Sequence, residues 1–219
     1  MMVFFHLYTK GQIPLRIKSY PMKKIFIILM IAFGVNANAQ DGYVEKSIFG
    51  IQTGFGTKVG IWANNELRLS NSIALRSEIG LENDFMVGDH YENTGFILQP
   101  VLTLEPRYYY NLAKRNSKGQ NTANNSGNYI SIKTSYHPDW FVINLPDNVT
   151  KIADLGIIPT WGIKRQIGSH FTYETAVGLG YRIVDLPANY RNGNIQNVDD
   201  GQERHQYIPY LNIGFGYIF

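Results

Sequence analysis

Three groupings of side chains in this 219-residue chain have the types and spacing to do chemistry. His170-x-Thr172-x-Glu174 sets a base, a hydroxyl and a carboxylate at alternate positions, about 6.5–7 Å per step in an extended segment. Hydrolysis through an activated hydroxyl is the reaction such a trio would suit. That spacing is too wide for a direct hydrogen bond between base and nucleophile. Ordinary polar lining is therefore the stronger reading of the trio. His90 lies near Asp84, Asp89 and Glu92, a mixture of imidazole and carboxylate that divalent metals accept. A solvated charged surface explains that group more plainly. The third grouping is ionic: Glu66, Arg68, Arg76, Glu78, Glu105, Arg107, Lys133, Lys164, Glu174 and Arg182 recur at alternating positions, with apolar residues between them.

Other chemistries are closed by composition. The chain has no Cys, which excludes disulfides, thiol catalysis and Cys-based zinc or iron–sulfur sites. Asp199-Asp200-Gly201-x-Glu203 is too short and wrongly spaced for an EF-hand loop. The glycine pairs Gly54/Gly56, Gly178/Gly180 and Gly214/Gly216 lack the strand–turn–helix setting of a nucleotide fingerprint, and no phosphate-binding loop is present. Small inward residues in a narrow barrel explain these pairs better. No cofactor and no metal site is expected.

The formal net charge of +3 would invite a nucleic-acid partner, but the first 39 residues remove the invitation. From Met22 the sequence runs Lys23-Lys24, an apolar stretch from Ile25 to Val35, then Asn36-Ala37-Asn38-Ala39-Gln40. These are the three parts of a secretory signal peptide, and the apolar stretch is shorter than the roughly 20 residues of a spanning helix. Residues 1–21 read as an extension upstream of the true start, 22–39 as the signal, with Ala37 and Ala39 framing cleavage before Gln40, and 40–46 as a short lead. The 39 residues hold five cations and no acid, so 20 Lys+Arg fall to 15 against 17 Asp+Glu. A mature chain at −2 has no electrostatic case for nucleic acid.

Period-two alternation then recurs eight times, which predicts strands near 47–55, 58–69, 72–81, 96–110, 128–136, 155–166, 170–184 and 207–219. The seventh is the cleanest: Phe171, Tyr173, Val177, Leu179, Tyr181 and Ile183 share one face, opposite Thr172, Glu174, Ala176, Gly178, Gly180 and Arg182. Pro100, Pro106 and Pro159 fall inside these segments, each removing a ladder hydrogen bond. Links are short at Ser70-Asn71 and near Ile167–Ser169, and long at 82–94, 137–154 and 185–206. Two depart from a short-inside, long-outside rule: Gly56-Thr57 is tiny, and 111–127 is long. The expected fold is all-β, a single eight-stranded antiparallel up-and-down transmembrane barrel over 47–219. Ten strands follow if 111–127 or 137–154 hides a hairpin.

Alternation alone does not say which face meets water. A soluble sandwich turns its apolar face inward, whereas a barrel in a membrane turns it outward to lipid. The chain ends Asn212-x-Gly214-x-x-Tyr217-x-Phe219, which resembles the C-terminal assembly signal of bacterial outer-membrane barrels. Together with the eight segments and the strand end Leu104-Glu105-Pro106-Arg107-Tyr108-Tyr109-Tyr110, it makes residues 47–219 similar to the outer-membrane β-barrel domain family of the OmpX and OmpA transmembrane-domain type. The resemblance implies export to the outer membrane of a Gram-negative cell. It implies contact with lipid and lipopolysaccharide, insertion by the barrel-assembly machinery, and two aromatic girdles. Tyr108, Tyr110, Phe171, Tyr173, Tyr217 and Phe219 would form the inner girdle; Tyr136, Tyr181 and Tyr207 the outer one.

A structural or interaction role, with three acidic loops presented outside and a narrow or closed interior, fits best; the loops' partner is not indicated. Divalent-cation bridging from those loops to lipopolysaccharide is one form of it. Alternatives are a narrow channel, a lipid-modifying hydrolase and a secreted soluble carrier. The hydrolase rests on the resemblance of the His170 triplet to the His-x-Ser of outer-membrane lipid A deacylases. Thr172 stands where Ser is expected, and the triplet lies on the periplasmic side.

Overall fold

The computed structural model describes residues 43–85, 96–144, 151–185, 190–191, 194–195 and 203–219. The strands are β1 (Ser47–Gly56), β2 (Lys58–Arg68), β3 (Ile73–Asp84), β4 (Gln99–Tyr109), β5 (Asn128–His137), β6 (Ala153–Ile167) and β7 (Phe171–Asp185). Two-residue strands β8 (Tyr190–Arg191) and β9 (Asn194–Ile195) pair with each other, and β10 (Glu203–Ile218) ends the series. Eight of these close a barrel in the order β1-β10-β7-β6-β5-β4-β3-β2, every neighbour antiparallel. The closed barrel has eight strands. The segment 111–127 holds no hairpin, and the small β8–β9 pair stands apart from the barrel sheet in the link between β7 and β10.

The alternation fixes which residues point in. Along β6 and β7, buried and exposed positions alternate over most of their length, because successive side chains leave a strand on opposite faces. Prolines are absorbed by gaps rather than bulges. The β4–β5 ladder skips Pro106 between Leu104↔Thr134 and Arg107↔Ser131, and the β6–β7 ladder skips Pro159 between Ile157↔Tyr181 and Thr160↔Gly178. Both resume in the same register, so each missing N–H costs local pairing without turning any side chain to the wrong face.

Glycines make room inside. Trp62, buried, lies over Gly60 and Gly80, where any Cβ would strike its indole, and Gly162 leaves space for the Tyr129 ring. At the one-residue turn between β1 and β2, Gly56 takes φ 148°, a conformation that favours glycine.

The long link after β4 has its own architecture. Helix α1 (Leu112–Ser117) places Lys114 and Arg115 in its last turn, where cations suit the helix dipole. A 3-10 turn, Ala123–Asn125, follows. Asn124 and Asn125 adopt φ 53° and 59°, a left-handed geometry that Asn tolerates better than most residues. Leu112 of the helix joins Val44, Ala74, Tyr109 and Tyr129 in one buried apolar cluster. Asn125, fully buried, accepts the Glu45 N–H at 2.7 Å and donates to Glu66 at 2.9 Å. Ser126 Oγ accepts the Gln166 N–H at 2.8 Å, and the Lys164 N–H reaches the Gly127 carbonyl at 2.9 Å. The link is a lid across the end of the barrel where the first and last barrel strands begin and finish.

A Val at Gly162 would drive a side chain into the Tyr129 ring. Gly162→Val should lower stability by about 1–3 kcal/mol, read as a lower urea midpoint of the folded protein.

Candidate functional site

The site that the sequence marks is the barrel interior, and the structure assembles it in three tiers. Nine of the ten predicted charges are buried there: Glu66, Arg76, Glu78, Glu105, Arg107, Lys133, Lys164, Glu174 and Arg182. Arg68 is the exception. It ends β2 at the barrel rim, half-exposed, and lies over the Tyr43 ring at 5.9 Å.

Beneath the lid, Glu66 is the hub. Its Oε1 accepts from Tyr109 Oη at 2.5 Å and Asn125 Nδ2 at 2.9 Å, and its Oε2 from Lys164 Nζ at 2.7 Å. β2 and β6 lie on opposite sides of the barrel, so the Lys164 contact crosses the lumen.

The middle tier is built on Arg107. Its two terminal nitrogens grip both oxygens of Glu174 at 2.8 and 2.9 Å, and one of them also donates to Glu105 at 2.8 Å. Tyr129 Oη donates to Glu174 at 2.9 Å and Ser131 Oγ to Glu105 at 2.6 Å. Arg107 Nε has no hydrogen-bond partner, but the guanidinium lies 4.2 Å from the Tyr129 ring centre, where the ring quadrupole attracts it. Alongside, Glu78 accepts from Arg76 at 2.6 Å and Lys133 at 2.7 Å, while Arg76 also donates to Gln52 at 2.6 Å.

The third tier, toward the long links, is one the sequence reading missed. Glu82 accepts from Lys58 and, at 2.9 Å, from Trp62 Nε1. His137 stands between two carboxylates, Nε2 at 2.8 Å from Glu82 and Nδ1 at 2.9 Å from Asp154. An ionised carboxylate only accepts, so both ring nitrogens carry protons in this arrangement. Arg182 Nε approaches Asp154 at 3.5 Å. The signal was available: Glu82, His137 and Asp154 continue the inward parity of β3, β5 and β6, but lie one residue beyond the predicted strand ends. Glu82 and Asp154, read as outer-loop acids, are interior ion-pair partners instead.

Among the described residues, the buried charges are Lys58, Arg76, Arg107, Lys133, Lys164 and Arg182 against Glu66, Glu78, Glu82, Glu105, Asp154 and Glu174. Six balance six, so the lumen carries no strong field of either sign beyond the His137 proton. Burying so many charges is tolerable because each carboxylate has a close cationic partner or several donors.

The hydrolytic trio does not assemble. His170 sits exposed in the turn before β7, its ring stacked on Tyr217 at 5.4 Å and its Nδ1 3.2 Å from the Ile218 carbonyl. Thr172 faces the interior, and Glu174 is committed to Arg107 and Tyr129. Asp84 ends β3, while Asp89, His90 and Glu92 lie outside the described residues, as do Ala37, Ala39 and Gln40. In the final strand Asn212 and Gly214 face inward, and Tyr217 and Phe219 outward. Phe219 N–H bonds the Phe49 carbonyl at 3.1 Å, where β10 closes on β1.

Removing one member of the lumen-crossing pair strands its partner. Arg107→Met and Glu174→Met should each cost about 3–5 kcal/mol, and the double variant much less than their sum. Urea titrations of the four proteins measure the cycle; additive losses would show that the two side chains do not act as a pair. No protein-family model matches the sequence, and no curated protein matches it significantly.

Proposed function

We propose that this chain is an integral outer-membrane β-barrel, with a closed interior, that serves as a structural or interaction scaffold for the links between β3 and β4, β5 and β6, and β7 and β10. The inside-out distribution of side chains supports this above all. Ile79, Leu104 and Leu179 are 61%, 55% and 65% exposed, while Arg76, Glu105 and Arg182 on the same strands are each 1% exposed. Large exposed apolar residues occur on all eight barrel strands. A water-soluble protein rarely leaves such a continuous apolar surface open, and a bilayer supplies the cover.

Aromatics support the same reading. Phe171, Tyr217 and Phe219 make successive edge-to-face contacts at 5.3 and 5.4 Å near the lidded end. Tyr181 and Tyr207 meet at 5.7 Å toward the other. Two such belts fit two membrane–water interfaces. The lidded end, which carries the short β2–β3 and β6–β7 turns and both ends of the barrel strand series, would face the periplasm, and the links between β3 and β4, β5 and β6, and β7 and β10 would face outward to lipopolysaccharide. The tyrosine and phenylalanine stripe of β10 would be the edge recognised by the assembly machinery. The paired lumen and the lid support a scaffold over a channel.

Two measurements test this. On a detergent gel the unboiled protein from the outer-membrane fraction should migrate differently from the boiled one, with Gln40 first on N-terminal sequencing. Recovery in soluble periplasm with no mobility shift would overturn the membrane reading. Reconstituted in planar bilayers, the protein should give no stepwise currents of porin size; such steps would overturn the closed interior.

A further inference from the structure

The outer side of the lid carries a basic groove of about 450 Å³ that the scaffold reading leaves without a role. Tyr110, Asn111, Lys114, Arg115, Lys118 and Gln120 line it. From residue 108 to 127 the sequence contains these three cations and no Asp or Glu, so no acid of the lid itself neutralises them. Arg115 is anchored by a hydrogen bond from one terminal nitrogen to the Asn121 carbonyl at 3.0 Å. Its Nε, by contrast, is buried and has no hydrogen-bond partner, and a buried N–H left unmatched is costly. One anchored guanidinium, flanked by the exposed Lys114 and Lys118, forms a cradle for a multivalent oxyanion.

The groove also opens onto the apolar outer wall. Tyr110 lines it and, through its Oη, accepts a 2.9 Å hydrogen bond from the exposed Trp161 of β6. Trp161 and its strand neighbour Ile157 face outward. A ligand seated here would place a phosphate against arginine and lysine and a hydrocarbon tail along tyrosine and tryptophan.

We propose that this groove is a phosphate-binding subsite for the phosphodiester headgroup of an anionic phospholipid, whose acyl chains lie along Tyr110 and Trp161. The acyl half rests on the membrane-spanning reading; the phosphate half does not. Titration calorimetry on the full chain, folded in an uncharged maltoside detergent, tests it with three probes: dihexanoyl phosphatidylglycerol, dihexanoyl phosphatidylcholine and inorganic phosphate. Phosphatidylglycerol should bind roughly tenfold more tightly than phosphatidylcholine, and the variant Arg115→Gln should lose roughly tenfold or more. Lys114→Gln/Lys118→Gln changes only exposed side chains, and should weaken phosphatidylglycerol binding several-fold with an unchanged urea midpoint.

Equal affinity for the two lipids, or no loss in either the Arg115 or the lysine variant, would overturn the site. Inorganic phosphate binding as tightly as phosphatidylglycerol would overturn the lipid assignment in favour of free phosphate. The short-chain probes reach the groove whether or not the chain crosses a bilayer. A negative result here therefore leaves gel mobility and fractionation to decide the membrane reading separately.

Discussion

The bidentate grip of Arg107 on Glu174 joins β4 to β7 across the lumen, and much of the interior is arranged around it. An isolated charge in so enclosed a space is very unfavourable, whereas a matched, fully hydrogen-bonded pair is tolerable. The match propagates through shared partners. Glu174 engages Tyr129, Arg107 engages Glu105, and Glu105 engages Ser131. Gly162 is small because the Tyr129 ring must pass over it to reach Glu174. Strands β2 to β7 each contribute charged side chains to this interior, so packing and electrostatics there are one constraint.

The same constraint explains the lid. Glu66 sits at the end of the lumen, and Tyr109, Lys164 and Asn125 complete its shell. Two of these come from barrel strands; the third comes from the 17-residue link 111–127. A short turn in its place would leave the Glu66 carboxylate nearer to water and the Tyr109–Tyr129 face uncovered. The link's length is therefore a requirement of the interior, and Asn124 and Asn125 supply the left-handed backbone that brings Asn125 over the mouth.

How much of this was legible in the sequence depended on range. Alternation within a strand is a local pattern, so the eight segments and, Arg68 apart, the inward set from Glu66 to Arg182 could be read directly. Strand ends were less legible, because hydrophobicity fades where a strand leaves its apolar band. Predicted ends at Leu81, Tyr136 and Leu155, each one position short of the next inward-facing charge, hid Glu82, His137 and Asp154. His170 misled for the mirror reason: its parity agreed with Thr172 and Glu174, but it belongs to the turn, where parity no longer governs direction. Pairings such as Lys164 with Glu66 span 98 positions and leave no local trace, and neither does the folding of 111–127 onto the barrel end.

The lumen-crossing pairs also bear on how such a molecule can change over evolutionary time. A barrel sheet can in principle gain or lose a hairpin, since each strand hydrogen-bonds only to its two neighbours. Here Lys164 answers Glu66 from four strands away around the ring, and Arg107 answers Glu174 from three. Duplication or deletion of a hairpin would alter the circumference and separate several of these partners at once. A lineage carrying this interior is thus held at eight strands, free to vary its links while its girth stays fixed.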